Sequence, residues 1–144
     1  FAPDDGAFYD LAVELGYDST VYDEEDIFTF LAGALGSIGI GDVEAAVTAV
    51  LQYHVVPEKR KVKDLDDDEE IDTALQLDGM PATFTTKCKG RRRCKGKVKL
   101  LHNDSNLKDP RIHKRFRDCK TSQGLLHEIK DVLVPLQLTP EAQP

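Results

Sequence analysis

The chain has 144 residues, of which 40% are hydrophobic and 31% charged, as expected for one globular domain. No apolar run approaches the roughly 20 residues needed to span a bilayer, so the sequence predicts no transmembrane helix. The net charge of −7 is divided unevenly: residues 1–80 hold 20 acidic and four basic residues, whereas residues 81–144 hold 15 basic and six acidic ones. This asymmetry favours binding to a polyanion or head-to-tail attraction between copies of the chain.

The first third of the chain is predicted to be helical, because apolar residues recur there at helical spacing in three segments. The segments are 5–16, after the end of a strand, 27–36, after an acidic run, and 43–53. Asp4 or Asp5 caps the first helix and Asp42 the third, and glycines end the first two. The glycine-rich residues 36–42 are predicted to form a hinge.

The middle of the chain is predicted to contain a short strand and a long loop. Residues 54–56 are a histidine followed by two β-branched valines, and Pro57 ends this short segment. The pattern favours a buried strand. Residues 58–72 are highly charged and predict a solvated loop. A calcium site at 64–72 is disfavoured, because the glycine and closing glutamate of an EF-hand loop are missing.

The next segment predicts a β-hairpin, because apolar residues alternate with polar ones from Ala82 to Leu100. One antiparallel register places Ala82 opposite Leu100, Phe84 opposite Val98 and Cys88 opposite Cys94. The connection in that register is a three-residue loop at 90–92. Residues 124–135 then predict an apolar strand pair, and residues 136–144 a loose polar tail.

Three segments in this order resemble the fasciclin (FAS1) domain family. They are FAPDDGAF at 1–8, LQYHVVP at 51–57 and DCKTSQGLLHEIKDVLVP at 118–135. The resemblance implies a compact α/β fold of the α+β type, with a β-sandwich or wedge-like β core flanked by several helices. It implies one domain over residues 1–135, lacking the helix or helices that precede the first segment in the family, followed by the tail.

The resemblance also implies a function. It indicates a non-enzymatic cell-adhesion or extracellular-matrix module that binds matrix or cell-surface proteins, including copies of itself. Such a module is secreted or displayed at the cell surface, with any signal peptide outside this fragment. The second helix and the basic stretch at 87–99 are longer than the family pattern, so functions peculiar to this chain are expected there.

Tyr53 and His54 match a Tyr-His pair that is implicated in integrin binding in animal members of the family. We expect both to be structural instead, because aromatic side chains beside an apolar run usually pack in a core. His127 is expected to be an interior or edge histidine for the same reason. No catalytic or cofactor motif is present, and we predict no enzyme activity, cofactor or metal site. The three cysteines have spacings that match no common zinc site.

The cysteines are expected to be oxidised in part. Cys88 and Cys94, opposed in the predicted register, would have the Cβ separation that a disulfide needs. Cys119 would then be a free interior thiol. Pairing of Cys119 with Cys94 or Cys88 is the alternative that the sequence leaves open. Either pairing favours an extracellular or otherwise oxidising compartment.

A dense run of cations surrounds the first two cysteines. It comprises Lys87, Lys89, Arg91, Arg92, Arg93, Lys95, Lys97 and Lys99, joined further along the chain by Arg111, Lys114, Arg115 and Arg117. An anionic polysaccharide is the favoured ligand, since the hairpin lacks the interleaved aromatics or recognition helix of nucleic-acid readers. The alternatives are a polyanion-binding domain without any adhesion role, and a solubilising surface that binds nothing.

Overall fold

The computed structural model describes residues 1–37, 42–89, 93–94, 96–102 and 107–135. Three helices open the chain: α1 (Asp5–Glu14), α2 (Glu24–Gly36) and α3 (Val43–Tyr53). Each begins after an aspartate whose carboxylate accepts a hydrogen bond from a backbone N–H in the first turn; these N-caps are Asp4, Asp23 and Asp42. The predicted helices are therefore present, and α2 begins inside the acidic run instead of after it. Most of the predicted glycine hinge lies outside the described residues.

In the described part of the chain, seven strands form small sheets. Their bounds are β1 (Ala2–Pro3), β2 (Glu70–Leu77), β3 (Met80–Cys88), β4 (Val98–Leu101), β5 (Cys119–Lys120), β6 (Leu125–Leu126) and β7 (Glu128–Ile129). The largest sheet has the antiparallel order β2-β3-β4, while β1 pairs with β7 in parallel and β5 pairs with β6 antiparallel. The result is the expected mixed α/β fold, with three helices beside small sheets.

Two apolar clusters fill the interior. The helical cluster packs α1, α2 and α3 together with residues such as Leu107 and Val132. The sheet cluster contains Tyr53 from the end of α3, Phe84 from β3 and Leu133 from the closing segment, among others. Since α3 and the closing segment contribute to both clusters, they are the parts of the chain that connect the helices to the main sheet.

The middle of the chain differs from the prediction. Residues 54–56 form no strand, and Val55 is exposed, although its carbonyl accepts a hydrogen bond from Ala74 N–H. The predicted loop is partly structured: a 3₁₀ turn at Val62–Asp64 is followed by β2. The acidic residues on the exposed face of β2 conceal its period-two pattern, in which Ile71, Thr73 and Leu75 are buried.

The predicted hairpin register is wrong by four residues. Cys88 of β3 lies opposite Val98 of β4, not opposite Cys94, and Lys87 lies opposite Lys99. The extra residues form a longer connection than the predicted three-residue loop, and Gly96 within it adopts a positive φ of 96° that a residue with a side chain rarely adopts. The predicted loop centre at 90–92 lies outside the described residues, as does the tail at 136–144.

The closing segment also differs in its pairing. The apolar residues at 124–135 do form two strands, β6 and β7, but each has two residues and pairs with β5 or β1 instead of with the other. Beyond β7 the backbone is irregular, yet residues 132–135 are all buried. Burial of this stretch thus depends on packing between the two apolar clusters and not on a regular strand ladder.

Phe84 provides a test of the sheet cluster. Its side chain is 1% exposed and makes edge-to-face ring contacts with Phe1 and Tyr53. Replacement of Phe84 by Ala should lower the free energy of unfolding by about 3 to 5 kcal/mol, because it removes a buried ring and leaves a cavity. Urea denaturation measures the change. The Phe84→Leu variant should lose less stability than the alanine variant, so it keeps the test possible if Phe84→Ala does not fold.

Met80 offers the matched control, since its side chain is 71% exposed at the start of the same strand. Met80→Ala should change the free energy of unfolding by no more than about 0.5 kcal/mol. Equal effects of the two alanine substitutions would contradict the placement of Phe84 at the centre of the core.

Candidate functional site

The base of the cation-rich loop is closed by a disulfide between Cys88 and Cys94, whose Cα atoms are 5.4 Å apart. Cys94 is almost fully buried, and its N–H donates a hydrogen bond of 2.7 Å to the carbonyl of Leu65. The N–H of Cys88 donates to the Asp67 carboxylate at 2.8 Å. The disulfide expected from the sequence is present, and both of its ends are also held by the acidic segment before β2.

Lys87 is the first cation of the run, and two carboxylates already neutralise it. Its ammonium group lies 2.8 Å from Asp68 Oδ1 and 3.7 Å from Asp67 Oδ2. The hydrogen bond to Asp68 is the main cause of the raised pKa of Lys87. Lys87 therefore anchors β3 to the acidic segment and is less available to a ligand than its neighbours.

The remaining cations form a surface that we call the basic surface. Its described members with exposed side chains are Lys89, Arg93, Lys97, Lys99, Arg111, Lys114 and Arg115, and Arg117 is half-buried. Two contacts join its two segments: Lys99 and Arg111 form a β-bridge, and the Arg117 guanidinium donates to the carbonyl of Gly96 at 2.8 Å. The structure thus brings together cations that are distant in sequence. Arg91, Arg92 and Lys95 lie outside the described residues.

Phe116 was not singled out in the sequence, although it stands within the cationic run at 114–117. Its ring is 52% exposed and lies 4.9 Å from the ring of His113, measured between centroids. An exposed aromatic between basic residues is thus part of the basic surface. The basic residues on either side of Phe116 were the sequence signal that could have identified it as a surface residue.

The Tyr-His pair is in the interior. Tyr53 is fully buried, its hydroxyl donates to the carbonyl of Thr83 at 2.6 Å, and its ring meets Phe84 edge-on. His54 Nδ1 lies 2.7 Å from the carbonyl of Val50, and His54 Nε2 accepts a hydrogen bond of 2.9 Å from Leu133 N–H. Since Nε2 accepts, the imidazole is neutral and carries its proton on Nδ1.

Burial controls the ionisation of both side chains. Desolvation lowers the pKa of His54 to about 4, against a smaller opposing effect of the hydrogen bond to Val50. Desolvation also raises the pKa of Tyr53. Both groups are therefore uncharged at neutral pH, and both use their polar atoms for backbone contacts.

His127 has a similar environment in the closing segment. Its Nε2 lies 2.6 Å from the carbonyl of Arg60, and its Nδ1 accepts from Asp118 N–H at 3.0 Å. Burial is the main cause of its lowered pKa. Cys119, in β5, is a free thiol. It is half-buried, whereas a fully interior thiol was expected from the sequence.

Within the described ranges, no group of three or more His, Cys, Asp or Glu side chains is placed to hold a metal ion. Among those residues there is also no helix with the length and apolar character required to cross a membrane. The candidate site is the basic surface, because the Lys99–Arg111 bridge and the Arg117–Gly96 hydrogen bond bring together cations from two segments of the chain.

The helices and sheets define a small mixed α/β domain, and comparison with known families identifies its class. The chain belongs to the Fasciclin domain family, whose pattern it matches over residues 1–135. Fasciclin domains are non-catalytic adhesion modules and are typically extracellular, in keeping with the disulfide. A search of curated proteins finds no match to this chain.

The environment of His54 predicts a pH-dependent stability. Because its pKa is about 4 in the folded chain and 6.5 ordinarily, the unfolded chain takes up the proton first as the pH falls. The stability that the neutral ring of His54 contributes is therefore fully present above pH 6.5. It is lost as the pH falls to about 4, and the total loss is roughly 3 kcal/mol at 1.36 kcal/mol per pKa unit. His127 acts in the same direction. Urea denaturation at several pH values measures the change.

Two variants isolate the contribution of His54. His54→Gln should be less stable at neutral pH and should lose less stability on acidification than the unmodified chain. His113→Gln is the control, since His113 lies in a surface loop, and it should keep the full pH dependence. Parallel curves for the unmodified chain and His54→Gln would show that the His54 ring does not titrate as described.

Proposed function

We propose that this domain is a secreted or cell-surface adhesion or matrix-binding module whose basic surface holds an anionic polysaccharide. The observation that carries the proposal is the contact between Arg117 and Gly96, which joins the hairpin cations to those at 111–117. A linear polyanion binds best to cations spread over one continuous surface, because several of its charged groups can be neutralised together. The disulfide supports this role by limiting the movement of the loop.

The hairpin part of the basic surface favours a polysaccharide over nucleic acid, because the exposed ring of Phe116 lies outside the hairpin. Single-stranded nucleic acids bind where bases stack on exposed aromatic rings along a basic groove. Phe84 is the aromatic residue of β3, it is buried, and β4 has no aromatic residue. The hairpin can therefore supply charge and hydrogen-bond donors to a ligand, which match sulfate and carboxylate groups.

We also infer that Tyr53 and His54 stabilise the domain and do not contact partners directly. Their hydrogen bonds to Thr83, Val50 and Leu133 are all internal. A partner would have to displace these contacts and expose a buried ring. Binding at the basic surface requires no such change.

Retention on a heparin column tests the polysaccharide proposal. Replacement of Lys89, Lys97 and Lys99 by Ala should lower the salt concentration at which the chain elutes, because three exposed cations of the basic surface are removed. The plot of affinity against salt should also become less steep. Circular dichroism and thermal unfolding should match those of the unmodified chain.

Lys59, Lys61 and Lys63 provide a matched control, because they are also three exposed lysines but precede β2. Their replacement by Ala changes the net charge by the same amount and should leave elution nearly unchanged. Equal shifts for the two triple variants would mean that net charge alone governs retention, and no shift for either would mean that heparin does not bind here.

A further inference from the structure

The helical part of the domain carries a second surface of opposite charge. Residues 1–57 contain 11 acidic residues and no lysine or arginine. Between α1 and α2 lies a groove of about 180 Å³, which we call the acidic groove. Its lining residues are Asp5, Phe8, Tyr22, Glu24, Ile27, Phe28 and Leu31. The interior of the groove is thus largely apolar, and carboxylates contribute to its lining.

Two large aromatic side chains at this groove are left in contact with solvent. Phe28 is 65% exposed and Tyr22 is 61% exposed, although the ring of Tyr22 lies 5.2 Å from that of Tyr9. Exposed aromatic side chains that line one groove are typical of protein-binding surfaces.

The basic surface presents a group that matches this groove. Phe116 projects an exposed ring between Arg115 and Arg117. The ring packs against that of His113, and the next residue, Arg117, is anchored through its guanidinium to the carbonyl of Gly96. Because the neighbouring groups already restrain the ring, little conformational entropy is lost when it is buried by a partner.

We propose that a second copy of the chain inserts Phe116 into the acidic groove. An apolar cavity of roughly 150 Å³ is large enough to hold a benzene ring, so the groove has room for the phenyl ring. The cations beside Phe116, Lys114 and Arg115, would then face the carboxylates of Asp5 and Glu24. Complementary charge would guide the encounter, and burial of the ring would supply most of the affinity.

The contact pairs two different surfaces, Phe116 with its basic neighbours on one copy and the acidic groove on the other. Two copies that exchange Phe116 reciprocally form a closed dimer, whereas copies that each offer Phe116 to a further neighbour form rings or open chains. The inference rests on the proposed adhesion role for its biological meaning and names the partner as another copy of the chain. The proposed contact involves Phe116 and the acidic groove, and the variants in the heparin experiment leave both unchanged.

Sedimentation velocity of the full 144-residue chain tests the proposal over a range of protein and salt concentrations. The unmodified chain should self-associate at high protein concentration, and added NaCl should weaken the association. Phe116→Ser and Phe28→Ser should each weaken it by about tenfold or more. Met80→Ser, which removes an exposed apolar side chain outside both surfaces, should associate as the unmodified chain does.

A mixing experiment distinguishes this contact from general stickiness. The Phe116→Ser variant retains the groove, and the Phe28→Ser variant retains the inserting ring. An equimolar mixture should therefore form a one-to-one complex and nothing larger, although each variant alone remains monomeric.

Three results would overturn the proposal: an unmodified chain that is monomeric at every concentration, variants that associate as well as the unmodified chain, or a mixture that stays monomeric. Any of them would leave the heparin result unaffected, because Phe116→Ser keeps every cation. Failure of self-association is thus separable from failure of polysaccharide binding.

Discussion

The hydrogen bond from Leu133 N–H to His54 Nε2 connects two parts of the chain on which the rest of the fold depends. Val132 and Val134 pack in the helical cluster, whereas Leu133 packs in the sheet cluster. The side chains of the closing segment thus alternate between the two clusters, and the bond to His54 fixes that alternation. Because His54 Nε2 accepts this bond, it requires a neutral imidazole, and burial keeps the ring neutral by lowering its pKa.

Separation of the two clusters also separates the charges. The helices around one cluster carry only acidic residues among their charged side chains, while the strands and loops around the other carry the basic surface. Part of this charge is balanced within the molecule, as the contacts of Lys87 with Asp67 and Asp68 show. The described cations of the basic surface other than Arg117 have exposed side chains. A domain whose Tyr-His pair is buried, and whose surface has an acidic and a basic region, is suited to binding through those two surface regions.

Local signals predicted the helices well, because the caps Asp4 and Asp42 and the helical spacing act over a few residues. The main sheet was predicted poorly, because β2 hides its buried face behind acidic side chains and because the disulfide loop lengthens the hairpin connection. The cations of the candidate site were evident in the sequence. Their union into one surface was not, since it depends on the tertiary contact between Arg117 and Gly96. The acidic groove likewise requires the packing of α1 against α2.

The central claim is that partners contact the charged exterior and leave the Tyr-His pair buried. Titration of the ¹⁵N-labelled chain with a heparin oligosaccharide, followed by NMR, tests it most directly. We predict that the largest amide shifts fall on β4 and on residues 111–117, while the amides of His54 and Leu133 remain in place. Shifts centred on Tyr53 and His54, with the basic surface unchanged, would contradict the account.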